Sequence, residues 1–424
     1  MSIFVQLTMK PTGNRFLYLK KLTILAGFII PFSVSGQQTI TLNDAIGLSL
    51  KQHPDLKSFV HKLDASRGML AQAGVSRPLT VNINVEDALG TGAYSGVSGM
   101  QTTMSISWLL ERDIIDSKIK VAKQSASVSI FEKEVKALDI AAETAKIFIT
   151  LLSQKEQLAL AKLTRDQAQK LLKEINLRVG AGKANIIDEL RAKADLSKKE
   201  LVVEDLLHEI EASKAQLAAQ WVGDTDFKVD GTLIGIPTIS QLELAYEQLK
   251  SNPRLKVFAS QQRIAESKIN LAKVNEKPAW TVNTGIKRNE AIDDFALTAG
   301  ISIPLGGENR NRGQIMALQA KKHQSMAESD AWFKRISTQL LLLTHKLEHN
   351  RHVIDELSQE TIPTLELASD KAVNAYKIGR YRFADLYIIQ QELNAMQLEL
   401  IQAYTNIQLF NIELERLTGS SISM

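Results

Sequence analysis

Ten apolar positions towards the C-terminus, Leu386, Ile389, Leu393, Met396, Leu400, Ala403, Ile407, Phe410, Leu414 and Leu417, succeed one another at alternating spacings of three and four. A strict 3.5-residue period predicts a helix that supercoils against its neighbours, so the stripe is packing rather than chemistry. Upstream, the chain from Leu79 to Ile236 has no proline and is rich in Ala, Leu, Lys, Glu and Gln, all good helix formers. Ser117 is placed to cap a run that meets no strong breaker until Gly180, about 60 residues or roughly 90 Å at 1.5 Å per residue. Ordinary globular helices span about 8–20 residues, so this one belongs to a coiled coil or helical array. Pro54, Pro78, Pro237, Pro253, Pro278, Pro304 and Pro363 read as boundaries of helices and strands.

Elsewhere the period changes to two. Val81, Ile83 and Val85 alternate with Asn82, Asn84 and Glu86, and after a glycine-rich link Met104, Ile106 and Trp108 alternate with Ser105 and Ser107. A second pair follows: Trp280, Val282 and Ile286 alternate with Thr281, Asn283 and Lys287, and Phe295, Leu297, Ala299, Ile301 and Ile303 follow a tip at 289–294. Such alternation predicts strands with one apolar and one polar face. A soluble hairpin covering a core satisfies it, and so does a strand between lipid and water. Two features favour lipid. The strands have about the 9–11 residues that cross an outer membrane at a tilt, and Trp108 and Trp280 sit at the ends next to the long helices, where an interfacial aromatic girdle belongs. Four strands do not close a barrel of about eight or more, so lipid-facing strands would require several subunits.

The chain also repeats itself. LAQAGVSRPLTVNINV from Leu70 matches LAKVNEKPAWTVNTGI from Leu271; HPDLKSF from His53 matches NPRLKVF from Asn252; GKANIIDELRAKADL from Gly182 matches GRYRFADLYIIQQEL from Gly379. The offset stays near 200 residues, which indicates tandem duplication of one large unit, about 37–230 and 231–424, and not a solenoid of about 20–50-residue repeats.

Composition removes whole classes of function. Of 424 residues, 44% are hydrophobic and none is cysteine, which excludes disulfide scaffolds, thiol nucleophiles and cysteine-ligated metals. The net charge of +4 resides in Lys10, Arg15, Lys20 and Lys21, with no Asp or Glu before Asp44. An apolar run of about eleven residues follows and ends in Ser33, Ser35 and Gly36, so residues 1–36 read as a secretory signal peptide, too short for a span of about 20 residues. Met9 is an alternative start. The remaining chain is near neutral, and nucleic acid is not an expected partner.

Taken in order, ITLNDAIGLSLKQHPDL from Ile40, GKANIIDELRAKADL from Gly182, ISIPL from Ile301, IPTLELASDKAVNAYKIG from Ile362 and FADL from Phe383 resemble the TolC-like outer membrane efflux proteins over nearly the whole mature chain. The resemblance implies a mainly α fold with a small β part: long antiparallel coiled-coil helices forming a periplasmic tunnel, four strands per chain in a shared twelve-stranded outer membrane β-barrel, and a homotrimer. An equatorial belt would draw on 225–241 and the C-terminus. The expected function is a passive conduit served by a periplasmic adaptor protein and an inner-membrane pump, with no cofactor and no enzymatic activity. The tips RVGAGK, with Gly180 and Gly182, and KIGRYR, with Gly379, are where the resemblance places adaptor docking and the closed end. Residue by residue, Asp385 matches a gate aspartate, Tyr376 a tethering tyrosine and Asp188 its acceptor. The second acidic position is Ile388 here, and the tethering arginine position is Tyr381, flanked by Arg380 and Arg382.

His345, His349 and His352 share one predicted helix face and are the metal candidates, with Glu348 expected off that face; a solvated polar stripe is the competing reading. No G-x-S-x-G, H-E-x-x-H or Walker-type sequence is present. The alternative function is an exported coiled-coil structural or adhesion protein, which would need neither the hairpins nor the two tryptophans.

Overall fold

The computed structural model describes residues 38–236 and 242–422; the expected signal peptide and Pro237 lie outside them. The order is β1 (Gln38–Ile40), α1 (Leu42–Gln52), α2 (Pro54–Ala73), β2 (Thr80–Glu86), β3 (Gln101–Leu110), α3 (Arg112–Gly180), α4 (Ile186–Ala219) and β4 (Phe227–Val229). Then come α5 (Leu242–Leu249), α6 (Pro253–Val274), β5 (Trp280–Asn289), β6 (Asp294–Ser302), α7 (Arg312–Glu356), α8 (Ile362–Lys377) and α9 (Phe383–Thr418).

Helix α3 has 69 residues, about 100 Å at 1.5 Å per residue. It starts at Arg112, not at Ser117, which lies in its second turn. The reason is Glu111, the single residue between β3 and α3: its buried carboxylate accepts the Arg77 N–H at 2.7 Å and lies 3.8 Å from the Arg77 guanidinium. This pins the strand-to-helix junction without a side-chain cap. A second departure concerns Pro363. It does not end a helix; α7 runs into α8 through a π-helical turn, Leu357–Thr361. Proline has no N–H for the carbonyl four residues back, and its ring crowds that carbonyl, so a widened turn lets the helix continue. By contrast, Pro54 and Pro253 each open a helix. The preceding His53 and Asn252 cap the backbone N–H groups of Asp55 and Arg254 at 3.1 and 2.8 Å.

Four of the strands form one antiparallel sheet of order β2-β3-β5-β6, although more than 150 residues separate β3 from β5. Register fixes its two faces. On one, Ile83 pairs with Met104, Met104 with Ile286 and Ile286 with Leu297; the next rows hold Val81 with Ile106, and Trp108 with Val282 and Ile301. On the other, Thr80 pairs with Ser107, Ser107 with Asn283, Asn82 with Ser105 and Asn84 with Thr103. The apolar face covers no core: Ile83, Leu297 and Ile301 are 65%, 86% and 62% exposed. β2 and β6 are the outer strands, each with one hydrogen-bonding edge unpaired among the described residues.

The helices pack side by side, α3 against α2, α4, α6 and α9, and α7 against α6 and α9. The largest core lies midway along α3, where Phe148, Ile149, Leu151 and Leu152 meet Ile46, Leu217, Trp221 and Ile412. Two elements that the periodicity did not predict close over it. β1 and β4 pair in parallel, and Phe227, Val229 and Leu233 point into the core. Lys155 donates to the Val229 carbonyl at 3.0 Å, and Gln408 donates to that of Gly235. An ion network ties α3 to α9: Glu413 accepts from Lys146 and Arg416, and Arg416 also reaches Asp139 at 2.9 Å. Burial raises the Glu413 pKa, but the hydrogen bonds from Arg416 and Lys146 outweigh it and hold the group below the usual carboxylate range.

Candidate functional site

Two helical hairpins end together at the pole opposite the sheet. The α3–α4 turn is a Schellman motif: the Lys183 N–H donates to the Arg178 carbonyl at 2.8 Å, and the Gly182 N–H to that of Val179 at 2.9 Å. The α8–α9 turn repeats it, with Arg380 N–H to Ala375 carbonyl and Gly379 N–H to Tyr376 carbonyl, both 2.9 Å. Gly182 and Gly379 occupy the left-handed position with φ of +68° and +80°, where an L side chain is disfavoured. Gly180 is different: it is the last residue of α3, has ordinary helical geometry and meets nothing that a methyl would touch. Of the three tip glycines, two shape the turns.

A small core joins the tips, built from Ile175, Ala192, Ala372, Tyr376, Phe383 and Leu386. Tyr376 is 4% exposed, and its hydroxyl has no hydrogen-bond partner among the described residues, so the expected bond to Asp188 is not made. Asp188, half-buried in the first turn of α4, acts at longer range: burial pushes the Tyr376 pKa up, Arg178 opposes this, and Asp188 and Glu174 add to the rise. Asp385 occupies the corresponding first turn of α9 and accepts a two-pronged bond from Arg382, Nε to Oδ2 at 2.7 Å and Nη2 to Oδ1 at 2.8 Å. The Arg380 side chain is exposed, as is Ile388.

Residues not singled out from the sequence make the contacts between hairpins. Arg178 donates from Nη1 to the Tyr376 and Lys377 carbonyls, both at 2.8 Å, and lies 4.7 Å from the Tyr376 ring centroid. It thereby satisfies the open carbonyl end of α8 from the neighbouring helix. Tyr387 donates to Asp195 at 3.1 Å and ties α9 to α4. A basic residue one turn before the glycine in RVGAGK was the available signal for Arg178; nothing local marks Tyr387 or Asp195 as partners.

At the opposite pole, Trp108 and Trp280 lie on the sheet's apolar face, 36% and 46% exposed, in neighbouring rows beside the helices. Among the described residues no helix is long and apolar enough to cross a membrane.

The family described as Outer membrane efflux protein matches residues 45–221. The cobalt-zinc-cadmium resistance protein CzcC of Cupriavidus metallidurans is 23% identical over 358 residues, 84% of each chain. Solved structures agree over nearly the full length. CusC superposes with a TM-score of 0.72 at 14% identity, covering 90% of this chain and 92% of its own; VceC of Vibrio cholerae gives 0.72 at 16%, covering 90% and 97%. Together these matches support a TolC-like outer membrane efflux protein.

The histidine stripe on α7 lies apart from both poles. Among the described residues no group of three or more His, Cys, Asp or Glu is placed to hold a metal ion, and the candidates His345, His349 and His352 form no such group. All three are exposed, and His345 Nδ1 lies 3.4 Å from Glu348 Oε2, so Glu348 is not off the face as expected. Residues three apart on a helix are neighbours, which explains the contact.

The tip geometry of the efflux protein separates its glycines by experiment. Gly182→Ala and Gly379→Ala force a methyl into the left-handed position and should each destabilise their hairpin by about 1 kcal/mol, whereas Gly180→Ala should be neutral or stabilising. Hydrogen exchange of the tip amides measures this; equal effects at Gly180 and Gly182 would contradict the assignment.

Proposed function

We propose that this outer membrane efflux channel works as a homotrimer in which each chain supplies four strands of a shared twelve-stranded barrel and one third of a helical tunnel. The observation that carries the reading is the four-stranded sheet itself, apolar and exposed on one face, polar on the other, with both edges unpaired among the described residues. In lipid every backbone N–H and C=O needs a partner, so such a sheet is stable there only when closed. Four strands are too few for a barrel, and three chains give twelve. With the apolar face towards lipid, the Asn, Ser and Thr face lines a water-filled lumen, and Trp108 and Trp280 mark the periplasmic interface.

The long helices then descend into the periplasm, and the hairpin tips form the far end of the conduit. Docking of a periplasmic adaptor at the tips bearing Gly182 and Gly379, and through it an inner-membrane pump, would supply the energy that a passive tube lacks. The two halves of the chain derive from duplication of a hairpin-bearing unit. The alternative of an exported structural or adhesion protein has no use for a lipid-compatible sheet. The name of the CzcC relative points to divalent metal cations as the cargo class, and a conduit carries such ions without a binding cluster in its wall.

In this arrangement threefold symmetry gathers Asp385 at the tip, each copy partly neutralised by its own Arg382. Three converging carboxylates favour cations in the constriction. Asp385→Asn should remove that preference and release Arg382, shifting single-channel selectivity towards anions; unchanged selectivity in planar bilayers would remove Asp385 from the gate. For the barrel, Ile106→Arg or Ile301→Arg places a charge on the lipid face at a cost of about 2–4 kcal/mol near the bilayer centre. Both variants should fail to accumulate in the outer membrane as detergent-extractable trimers, and normal assembly of both would show that the face does not meet lipid.

A further inference from the structure

Where helices meet strands, the charge of the chain changes character. Residues 64–77, 111–123, 263–277 and 308–323, the sheet-proximal ends of α2, α3, α6 and α7 with their links, carry fourteen Lys and Arg against seven Asp and Glu. Beyond Gly36 the whole chain has no net formal charge, so the remainder is acidic and the basic side chains gather in this collar.

Two recesses meet in the collar between α3 and α6. One lies at the foot of β3 and β5 and is walled by Leu110, Ile114, Ile115, Val274 and Pro278, with Glu111 and Asp113 also bordering it. Glu111 is engaged by Arg77. Leu110 belongs to the sheet's exposed apolar face, opposite Trp280, so this recess continues that face downward. The other, about 360 Å³, is lined by Ser117, Lys120, Ser267, Asn270, Lys273 and Lys277, and no carboxylate lines it. Val274 and Lys277 wall both recesses, which makes them one amphipathic groove. Lys120, Lys273 and Lys277 form no ion pair with any described residue.

We propose that this α3–α6 groove binds the phosphate headgroup of an anionic phospholipid of the periplasmic leaflet, with the apolar recess holding the start of its acyl chains. The inference rests on the reading that the apolar face of the sheet meets lipid. Three unpaired ammonium groups lining one groove repel each other, and a phosphate between them removes the repulsion while Ser117, Ser267 and Asn270 supply hydrogen bonds to its oxygens or to a glycerol headgroup. The volume suits a headgroup of that size. A soluble anion would use the lysines alone; the apolar wall joined to them selects a molecule with an acyl chain.

The test uses the full-length protein purified in neutral detergent, with phosphatidylglycerol or phosphatidylethanolamine added and retained lipid counted by native mass spectrometry. Each lysine near an anionic headgroup contributes about fivefold, so Lys120→Gln/Lys273→Gln/Lys277→Gln should weaken phosphatidylglycerol retention by about tenfold or more. The matching triple Lys→Arg variant should retain it. So should Lys268→Gln/Arg310→Gln/Lys321→Gln, which removes equal charge from the same collar outside the groove. Should the triple glutamine variant fail to assemble, Lys120→Gln alone reports the same loss at about fivefold. Undiminished retention by the glutamine variants, equal retention of both lipids by the wild type, or displacement of phosphatidylglycerol by inorganic phosphate would each overturn the proposal. Such a failure is distinct from failure of the lipid-facing sheet, which shows instead as normal assembly of Ile106→Arg and Ile301→Arg.

Discussion

The hydrogen-bonding edges of β2 and β6 are the constraint on which the rest of the structure depends. A backbone group without a partner costs several kcal/mol in hydrocarbon, and a sheet with one apolar face has no other phase in which to lie comfortably. Among the described residues this sheet holds four strands, enough to make two good faces and too few to close. In the proposed assembly, closure by further copies converts the two open edges into interfaces, and with them sets the number of helices in the wall below. The junction residue Glu111 transmits that geometry, because β3 passes into α3 through one buried residue held by Arg77.

Below the sheet the problem changes from sealing backbone to holding very long helices in register. A hydrophobic stripe does part of this, but a stripe of similar side chains permits sliding by a turn. Polar pairs at fixed points oppose that: Thr405 donates to Ser153 at 2.8 Å, Asn252 to the Leu417 carbonyl at 2.8 Å, and Arg416 spans Glu413 and Asp139. These cluster near the main core midway along α3, where β1, β4 and the segment around Leu233 wrap the helices. Away from it, towards the tips, packing thins to the small core around Tyr376 and a few contacts such as Arg178 on the α8 carbonyls. Fewer buried contacts mean lower local stability at the tips.

Much of this was legible in the sequence. The 3.5-residue stripe of α9 and the alternation in β2, β3, β5 and β6 are direct readouts of burial on a helix and of a two-faced sheet, and the structure follows them closely. Features that depend on contacts distant in sequence were not. Ser117 has the right chemistry for a cap, but the helix starts earlier because Arg77, on another segment, fixes Glu111. Pro363 looked like a boundary because local rules do not foresee that a π turn can absorb it. The β1–β4 pair is three residues per strand, too short for any period to show. At the tips, Gly182 and Gly379 declared themselves through position, while Arg178 and the Tyr387–Asp195 bond required two hairpins to be brought together. Tyr376 was placed correctly in the tip but not in its partner, since its ring fills a core and leaves the hydroxyl unpaired.

The central claim is that the free edge of β2 in one chain meets the free edge of β6 in another. Within one chain those edges lie three strand spacings apart, roughly 14 Å at about 4.8 Å each, beyond the Cα separation of about 7 Å that a disulfide tolerates. The chain has no cysteine of its own, so Asn84→Cys can be combined in turn with Ala296→Cys, Thr298→Cys or Gly300→Cys without background. After oxidation in outer membranes, at least one pair should give covalent dimers and trimers on a denaturing gel that collapse to monomers on reduction. Monomers alone for every pair, from protein that has reached the outer membrane, would contradict the shared barrel.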